Sequence, residues 1–211
     1  MKNMPVIAII GGVRSDTLEG IPEKEAGSCT ERSHDDCVEL GKQLASAGFK
    51  LLVWSSEKDF IEKDVVEGYL ETKDIAPGSI ICFWHKDYYP HFPKQEQTNG
   101  PFTLKRSPYD DWEIGFYESI KEDADGVILI GGGTNTLVSG FVSASWNKAI
   151  FASPHLNGKA EKIYKWLHTD SELVANSPVT KEDIDLMSQP WCPANCVKSL
   201  NGQIARVKQN E

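Results

Sequence analysis

The run Val127-Ile128-Leu129-Ile130, followed by Gly131-Gly132-Gly133-Thr134-Asn135-Thr136-Leu137, constrains this chain more than any other stretch. A short continuous apolar segment bounded by turn residues is the pattern of a strand covered on both faces, as in a parallel sheet. Three glycines then permit a tight turn and close backbone approach, and hydroxyl and amide side chains lead into the next helix. The first helical turn leaves N–H groups without intrahelical partners, and its positive end attracts anions, phosphate above all. A second junction of this kind, Val6-Ile7-Ala8-Ile9-Ile10-Gly11-Gly12, lies near the first residue. Two strand–glycine junctions predict a nucleotide-type ligand held between them.

Apolar spacing extends the pattern. Strands are predicted at 5–10, 49–54, 79–84, 126–130 and 149–152, and helices at 33–47 (Ser33 as N-cap), 59–71, 110–121, 136–148 and 157–168. The 110–121 helix would turn Trp112, Phe116, Tyr117 and Ile120 inward. Alternating strands and helices imply an α/β Rossmann-like three-layer sandwich, with a mainly parallel central sheet and helices on both faces. In such sheets ligands bind at the carboxyl ends of the strands where strand order reverses, and the first and fourth strands would flank that point. The polar segment 13–31 reads as a loop over the site. The stretch 85–108 is too long for a routine connection, and His85, Lys86, His91, Lys94, Lys105 and Arg106 make it locally basic, as a phosphate-facing lid would be. Residues 1–170 are read as the Rossmann-like domain. Residues 171–211 are its C-terminal helical appendage, with a helix start at Thr180-Lys181-Glu182-Asp183 and a final helix over 196–207.

The candidate ligand-binding residues follow from that frame. Gly131, Gly132, Gly133, Thr134, Asn135 and Thr136 offer backbone N–H groups and hydroxyls to phosphate or ribose. Gly11 and Gly12 form the opposite turn, Arg14 follows it as a bidentate phosphate contact, and Ser55 ends the second strand at the same edge. No Lys-Ser/Thr follows the glycines, so the P-loop pattern fails, and Gly11-Gly12 lacks the third glycine of a dinucleotide fingerprint. Asp111 and Glu113, two apart on a helix, point to different sides. Glu113 is the single candidate for a catalytic carboxylate, against the plainer reading of an acidic first turn.

Charge and cysteine usage narrow the partners. A net charge of −9 disfavours a broad nucleic-acid face but leaves room for a small phosphorylated ligand. No apolar run approaches the roughly 20 residues that span a bilayer, and no leader pattern precedes the first strand, so no membrane partner and a cytoplasmic location are expected. The five cysteines are read as reduced thiols. Cys192 and Cys196 lack a second ligand pair nearby, as do His85 and His91, so no metal and no resident cofactor is expected. A homo-oligomer is expected, with the C-terminal tail suited to self-association.

These residues resemble a known family, the SLOG superfamily, named for the Smf/DprA and LOG proteins. The resemblance runs from Ile7 to about Leu167 and rests on Ile10-Gly11-Gly12, Leu40-Gly41, Gly48-Phe49 and Gly131 through Leu137. The segment from Asp111-Trp112-Glu113 to Tyr117 is similar to members associated with nucleotide-derived immune signalling. The resemblance implies one of two activities. LOG enzymes are phosphoribohydrolases that cleave the N-glycosidic bond of a nucleoside monophosphate; other members bind nucleotide-derived signals, such as cyclic ADP-ribose isomers, without cleaving them. The LOG pattern is Pro-Gly-Gly-x-Gly-Thr-x-x-Glu. Aligned on Thr136, Gly132-Gly133 match its paired glycines, Asn135 replaces its later glycine, Gly131 its proline, and Ser139 its catalytic glutamate. Serine cannot replace a carboxylate in stabilising an oxocarbenium ion. The resemblance therefore implies binding of a nucleotide or ADP-ribose-derived molecule for sensing or sequestration, with nucleotide N-glycosidase activity as the alternative.

Overall fold

The computed structural model of the chain describes residues 4–12, 23–155, 158–170, 174 and 177–210, and the side chains of 23–32 and 210 lie outside that description. Six strands form one sheet: β1 (Val6–Gly12), β2 (Lys50–Val53), β3 (Ile80–Trp84), β4 (Phe102–Arg106), β5 (Gly126–Gly131) and β6 (Ala149–Ser153). Their order is β4-β3-β2-β1-β5-β6, and every pairing is parallel. The central strands are the apolar runs of the sequence, and Ile7, Ile9, Leu51, Leu52, Ile128 and Leu129 are buried completely. An α/β Rossmann-like sandwich is thus the architecture.

Seven helices are described: α1 (Glu23–Ser46), α2 (Ile61–Glu71), α3 (Trp112–Asp123), α4 (Thr134–Ser145), α5 (Lys159–Thr169), α6 (Lys181–Ser188) and α7 (Pro193–Asn210). The chain runs outward from β1 to β4 and then back past β1 to β5 and β6, and the right-handed crossovers that parallel sheets follow put helices on both faces. The α1–α2 pair crosses backbone to backbone. A Cβ on Gly41 would lie 2.0 Å from the Val65 carbonyl oxygen, and one on Gly68 would lie 1.8 Å from that of Val38.

Two local expectations change. Residues 23–31 are helical, the first turns of α1, and Ser33 sits inside that helix rather than capping it. Glu23-Lys24-Glu25-Ala26 are strong helix formers, and the helix that starts with them runs on through Gly27, at a cost of about 1 kcal/mol for the glycine, to the core positions Cys37, Leu40 and Leu44. The stretch 85–108 contains an extra strand, β4, paired with β3 from Ile80↔Phe102 to Trp84↔Arg106. As an edge strand with its middle residues exposed, it carries Thr, Lys and Arg in place of an apolar run.

Residues from 177 onward dock on β6. Thr180 caps α6 in a reciprocal box with Asp183. Asp183 is buried and held by Thr180, by Ser199 Oγ at 2.9 Å and by the Arg206 guanidinium. Cys196, Leu200 and Ile204 complete the core beside β6. The apolar face of this tail is occupied within its own chain. No helix among the described residues is long and apolar enough to cross a membrane.

Candidate functional site: a cleft at the carboxyl ends of β1 and β5

Strand order reverses at β1. On one side β1 pairs with β2, on the other with β5, in the register Gly11↔Ile130 and Gly12↔Gly131. The two glycine junctions therefore end side by side at one sheet edge, and Gly132 N–H donates to the Gly12 carbonyl at 2.8 Å. Gly132 takes φ +70°, and a Cβ there would meet Thr136 Oγ1 at 2.0 Å, so no other residue fits the turn without a shift.

Above this edge lies a cleft of about 630 Å³. Its floor is Ile10, Gly11 and Gly12, and one end is Gly132, Gly133, Thr134, Asn135 and Thr136. Gly133 is the N-cap of α4 and no side chain caps that helix, so the first-turn N–H groups are not satisfied from a cap side chain. Gly133 and Thr134 are exposed, Asn135 half-buried and Thr136 buried, and no acidic residue sits in that turn. This is the local arrangement that binds an anion: free N–H donors at a positive helix end.

The remaining walls come from the ends of β2 and β3, the segments after them, and the start of α3. Trp54 and Phe116 lie 4.5 Å apart between ring centroids, and Phe116 and Trp112 lie 6.2 Å apart, which makes one wall a row of aromatic rings. The Trp54 indole N–H is anchored to Ser119 Oγ at 3.0 Å. Trp112, expected inward, is half exposed at the cleft mouth because α3 begins at that residue and its first turn overhangs the sheet edge. Ser55 lines the cleft, and its hydroxyl accepts the Glu57 N–H at 3.2 Å.

The stretch after β3 contributes His85, Asp87, Tyr88 and Ser107 to the cleft, not a basic face. Lys86 pairs with Asp110 at 2.8 Å, Lys105 with Asp123 at 2.6 Å, Lys94 donates to the Leu70 carbonyl at 3.5 Å, and Arg106 stacks over Trp84 at 5.3 Å. Each cation is drawn to a nearer carboxylate, carbonyl or ring. Among the described lining residues there is no Lys or Arg, while Glu57, Glu62 and Asp87 bring carboxyl groups. Arg14 lies outside the described residues.

Glu62 is the residue that sequence reasoning missed. An acid in the first turn of a helix ordinarily reads as solvated. Here an antiparallel bridge between Gly12 and Phe60 draws the start of α2 under β1, and Glu62 is 4% exposed. Burial pushes its carboxyl up to about 8, against the opposite pull of the backbone groups of Glu62, Trp54 and Ser55. Its Oε2 has no hydrogen-bond partner. The available signal was spacing: Glu62 shares the helical stripe of Val65, Val66 and Tyr69, all core residues.

The candidate carboxylate Glu113 is exposed on α3 and is not among the lining residues, its neighbour Asp111 being the N-cap that accepts from the N–H groups of Glu113 and Ile114. Ser139, which falls at the LOG glutamate position, is fully buried on α4, away from the cleft lining. Gly131 closes β5 behind the turn and also does not line the cleft. Away from the site, His34, Asp64 and Glu67 bring their ligand atoms within 4.8 Å of one another on the outer side of α1 and α2, with His34 Nδ1 already 2.9 Å from Asp64 Oδ1.

No protein-family model matches the sequence, and no curated protein matches it. Solved structures do. The structural-genomics target TM1055 is 18% identical, with 94% of this chain and 99% of that chain covered at a TM-score of 0.57. The Moco carrier protein of Chlamydomonas reinhardtii is 16% identical, with 98% and 97% covered at a TM-score of 0.50. At such identity the likeness is one of fold, and it extends over nearly the whole of each chain: this chain has a Rossmann-like α/β fold of the kind those two proteins share.

Proposed function

We propose that the chain is a SLOG-like protein that binds a phosphorylated nucleotide-type molecule, a nucleotide or an ADP-ribose derivative, and holds it intact as a sensor or carrier. The observation that carries this reading is the uncapped N-terminus of α4 beside the Gly12–Gly132 contact, facing an aromatic wall across one cleft. The helix end suits phosphate, and the Trp54–Phe116–Trp112 row suits a planar base. Backbone N–H groups would take the phosphate charge, with Arg14 as the cation nearest in sequence to the Gly11-Gly12 turn. A neighbour of the same fold is a cofactor carrier by name, which accords with binding without turnover. The signalling role and self-association belong to the same proposal.

Cleavage of an N-glycosidic bond is the second reading, and Glu62 is what favours it. A neutral buried carboxyl in the cleft is the kind of group that protonates a leaving base. The separating experiment is native mass spectrometry of purified protein, followed by denaturation and identification of the released molecules. An intact nucleotide or ADP-ribose derivative supports binding. A free base with ribose phosphate supports cleavage. Protein that carries nothing, and that gains no thermal stability from AMP, ADP-ribose or its cyclic isomers, overturns both.

A further inference from the structure

Of the described side chains that line the cleft, only Glu62 holds a buried polar atom without a partner. Such an atom costs about 1–3 kcal/mol when nothing satisfies it. Glu62 lines the same cleft as the aromatic rings of Trp54, Phe116 and Trp112. Burial favours the neutral form, which has an O–H to give.

Resting on the nucleotide reading of the cleft, we infer that Glu62 recognises the ligand's base: the O–H on Oε2, the oxygen without a partner, donates to a ring nitrogen of the base. The edge that fits presents an unprotonated ring nitrogen, as in adenine. A guanine-type edge presents N–H at the corresponding position and suits an ionised carboxylate instead. Glu62 is then what discriminates between bases, while the N-terminus of α4 holds the phosphate.

The titratable groups around Glu62 are Cys82 on β3 and, along the cleft, Glu57, His85, Asp87 and Tyr88. On the α1 side of α2 stand His34 and Asp64, which pair with each other. A ligand with phosphate but no base reports on the titration of the cleft apart from base recognition, so ribose 5-phosphate is the control.

The test is calorimetric titration of AMP, GMP and ribose 5-phosphate into wild type, E62Q and E62A, at about pH 7 and about pH 9.5, above the second phosphate ionisation at about 6. Expected are tighter binding of AMP than of GMP at the lower pH, and a loss of AMP affinity of roughly thirtyfold at the higher pH relative to ribose 5-phosphate. E62Q, which keeps a donor and an acceptor, is expected to hold AMP at both pH values, and E62A to weaken AMP about tenfold or more while leaving ribose 5-phosphate unchanged. Ribose 5-phosphate binding, combined with AMP affinity indifferent to pH or to E62A, or with preference for GMP, overturns the Glu62 assignment alone. Failure of all three probes, and of ADP-ribose and its cyclic isomers, to bind overturns the reading of the cleft and this assignment with it.

Discussion

Gly12 ends β1 and Gly132 follows the last residue of the neighbouring β5, with the N–H of the second bonded to the carbonyl of the first at 2.8 Å. That bond aligns two turns that are far apart in sequence. It fixes where α4 starts, because Gly132 leaves β5 at φ +70° and Gly133 is already the N-cap. The anion-binding end of the cleft is therefore set by sheet register, and does not depend on the conformation of a long loop.

Gly133→Asp separates that function from stability. A Cβ at Gly133 meets nothing within 4 Å, and its φ of −108° lies outside the left-handed region that favours glycine. Aspartate is a strong N-cap and places a carboxylate on the free N–H groups of α4, so stability should hold or rise by a few tenths of a kcal/mol. The same carboxylate occupies the place proposed for phosphate. The expected outcome is an unchanged or higher Tm with a loss of AMP and ribose 5-phosphate affinity of about tenfold or more. Undiminished affinity would falsify the placement of the phosphate at this helix end.

Glu62 makes stability depend on pH in a definite direction. Its carboxyl is raised from an ordinary 4.5 to about 8 in the folded chain. Between those values the unfolded state loses the proton and the folded state keeps it, so the folded state is favoured fully below the lower value. Stability then falls as pH rises towards the upper one, by at most about 1.4 kcal/mol per pH unit. Glu62→Gln has no proton to lose. Urea midpoints of wild type and E62Q, compared from about pH 5 to about pH 8, should diverge with E62Q increasingly the more stable. A constant difference across that range means the folded chain does not hold Glu62 neutral.

The sheet was legible wherever strands are buried on both faces, because continuous apolar runs such as Ile7–Ile10 and Val127–Ile130 leave few alternatives. Their convergence at β1 and β5 followed from the rule on strand reversal, and Gly11, Gly12, Gly132, Gly133, Thr134, Asn135, Thr136 and Ser55 all come to the cleft. β4 was not legible: Phe102–Arg106 is an exposed edge, and its Lys105 and Arg106 read as a basic loop until their partners Asp123 and Trp84 are known. Glu62 was hidden for a related reason. Whether a first-turn acid is solvated or buried is decided by the Gly12–Phe60 bridge, a contact between residues 48 apart that no local pattern records.

The α1–α2 crossing gives a test of packing away from the cleft. A Cβ at Gly68 would sit 1.8 Å from the Val38 carbonyl oxygen, a backbone atom that no rotamer change can move aside. Gly68→Ala should therefore destabilise by about 1–3 kcal/mol, although alanine is the better helix former by about 1 kcal/mol. The measurement is the urea midpoint at unchanged m-value. A midpoint at or above that of wild type would show that the helices cross at a greater distance.

Gln203 supports the opposite edge of the sheet. Its Oε1 accepts the Ile150 N–H at 2.8 Å, and its Nε2 donates both to the Ile150 carbonyl at 2.8 Å and to Ser199 Oγ at 3.0 Å. The side chain thus replaces the next strand at β6, where unpaired backbone groups would otherwise be buried under α7 or offered to another chain. Gln203→Ala removes all three bonds and leaves the Ile150 N–H and carbonyl unsatisfied, at about 2–4 kcal/mol. Gln203→Glu still accepts the N–H but turns a carboxylate oxygen towards the Ile150 carbonyl, so it should rescue only part of the loss. Amide hydrogen exchange at Ile150 is the direct readout, faster in Q203A by a factor that matches the drop in stability where exchange follows global opening. Exchange at Ile150 that is unchanged in Q203A would mean that α7 protects the edge by covering it, without this bond.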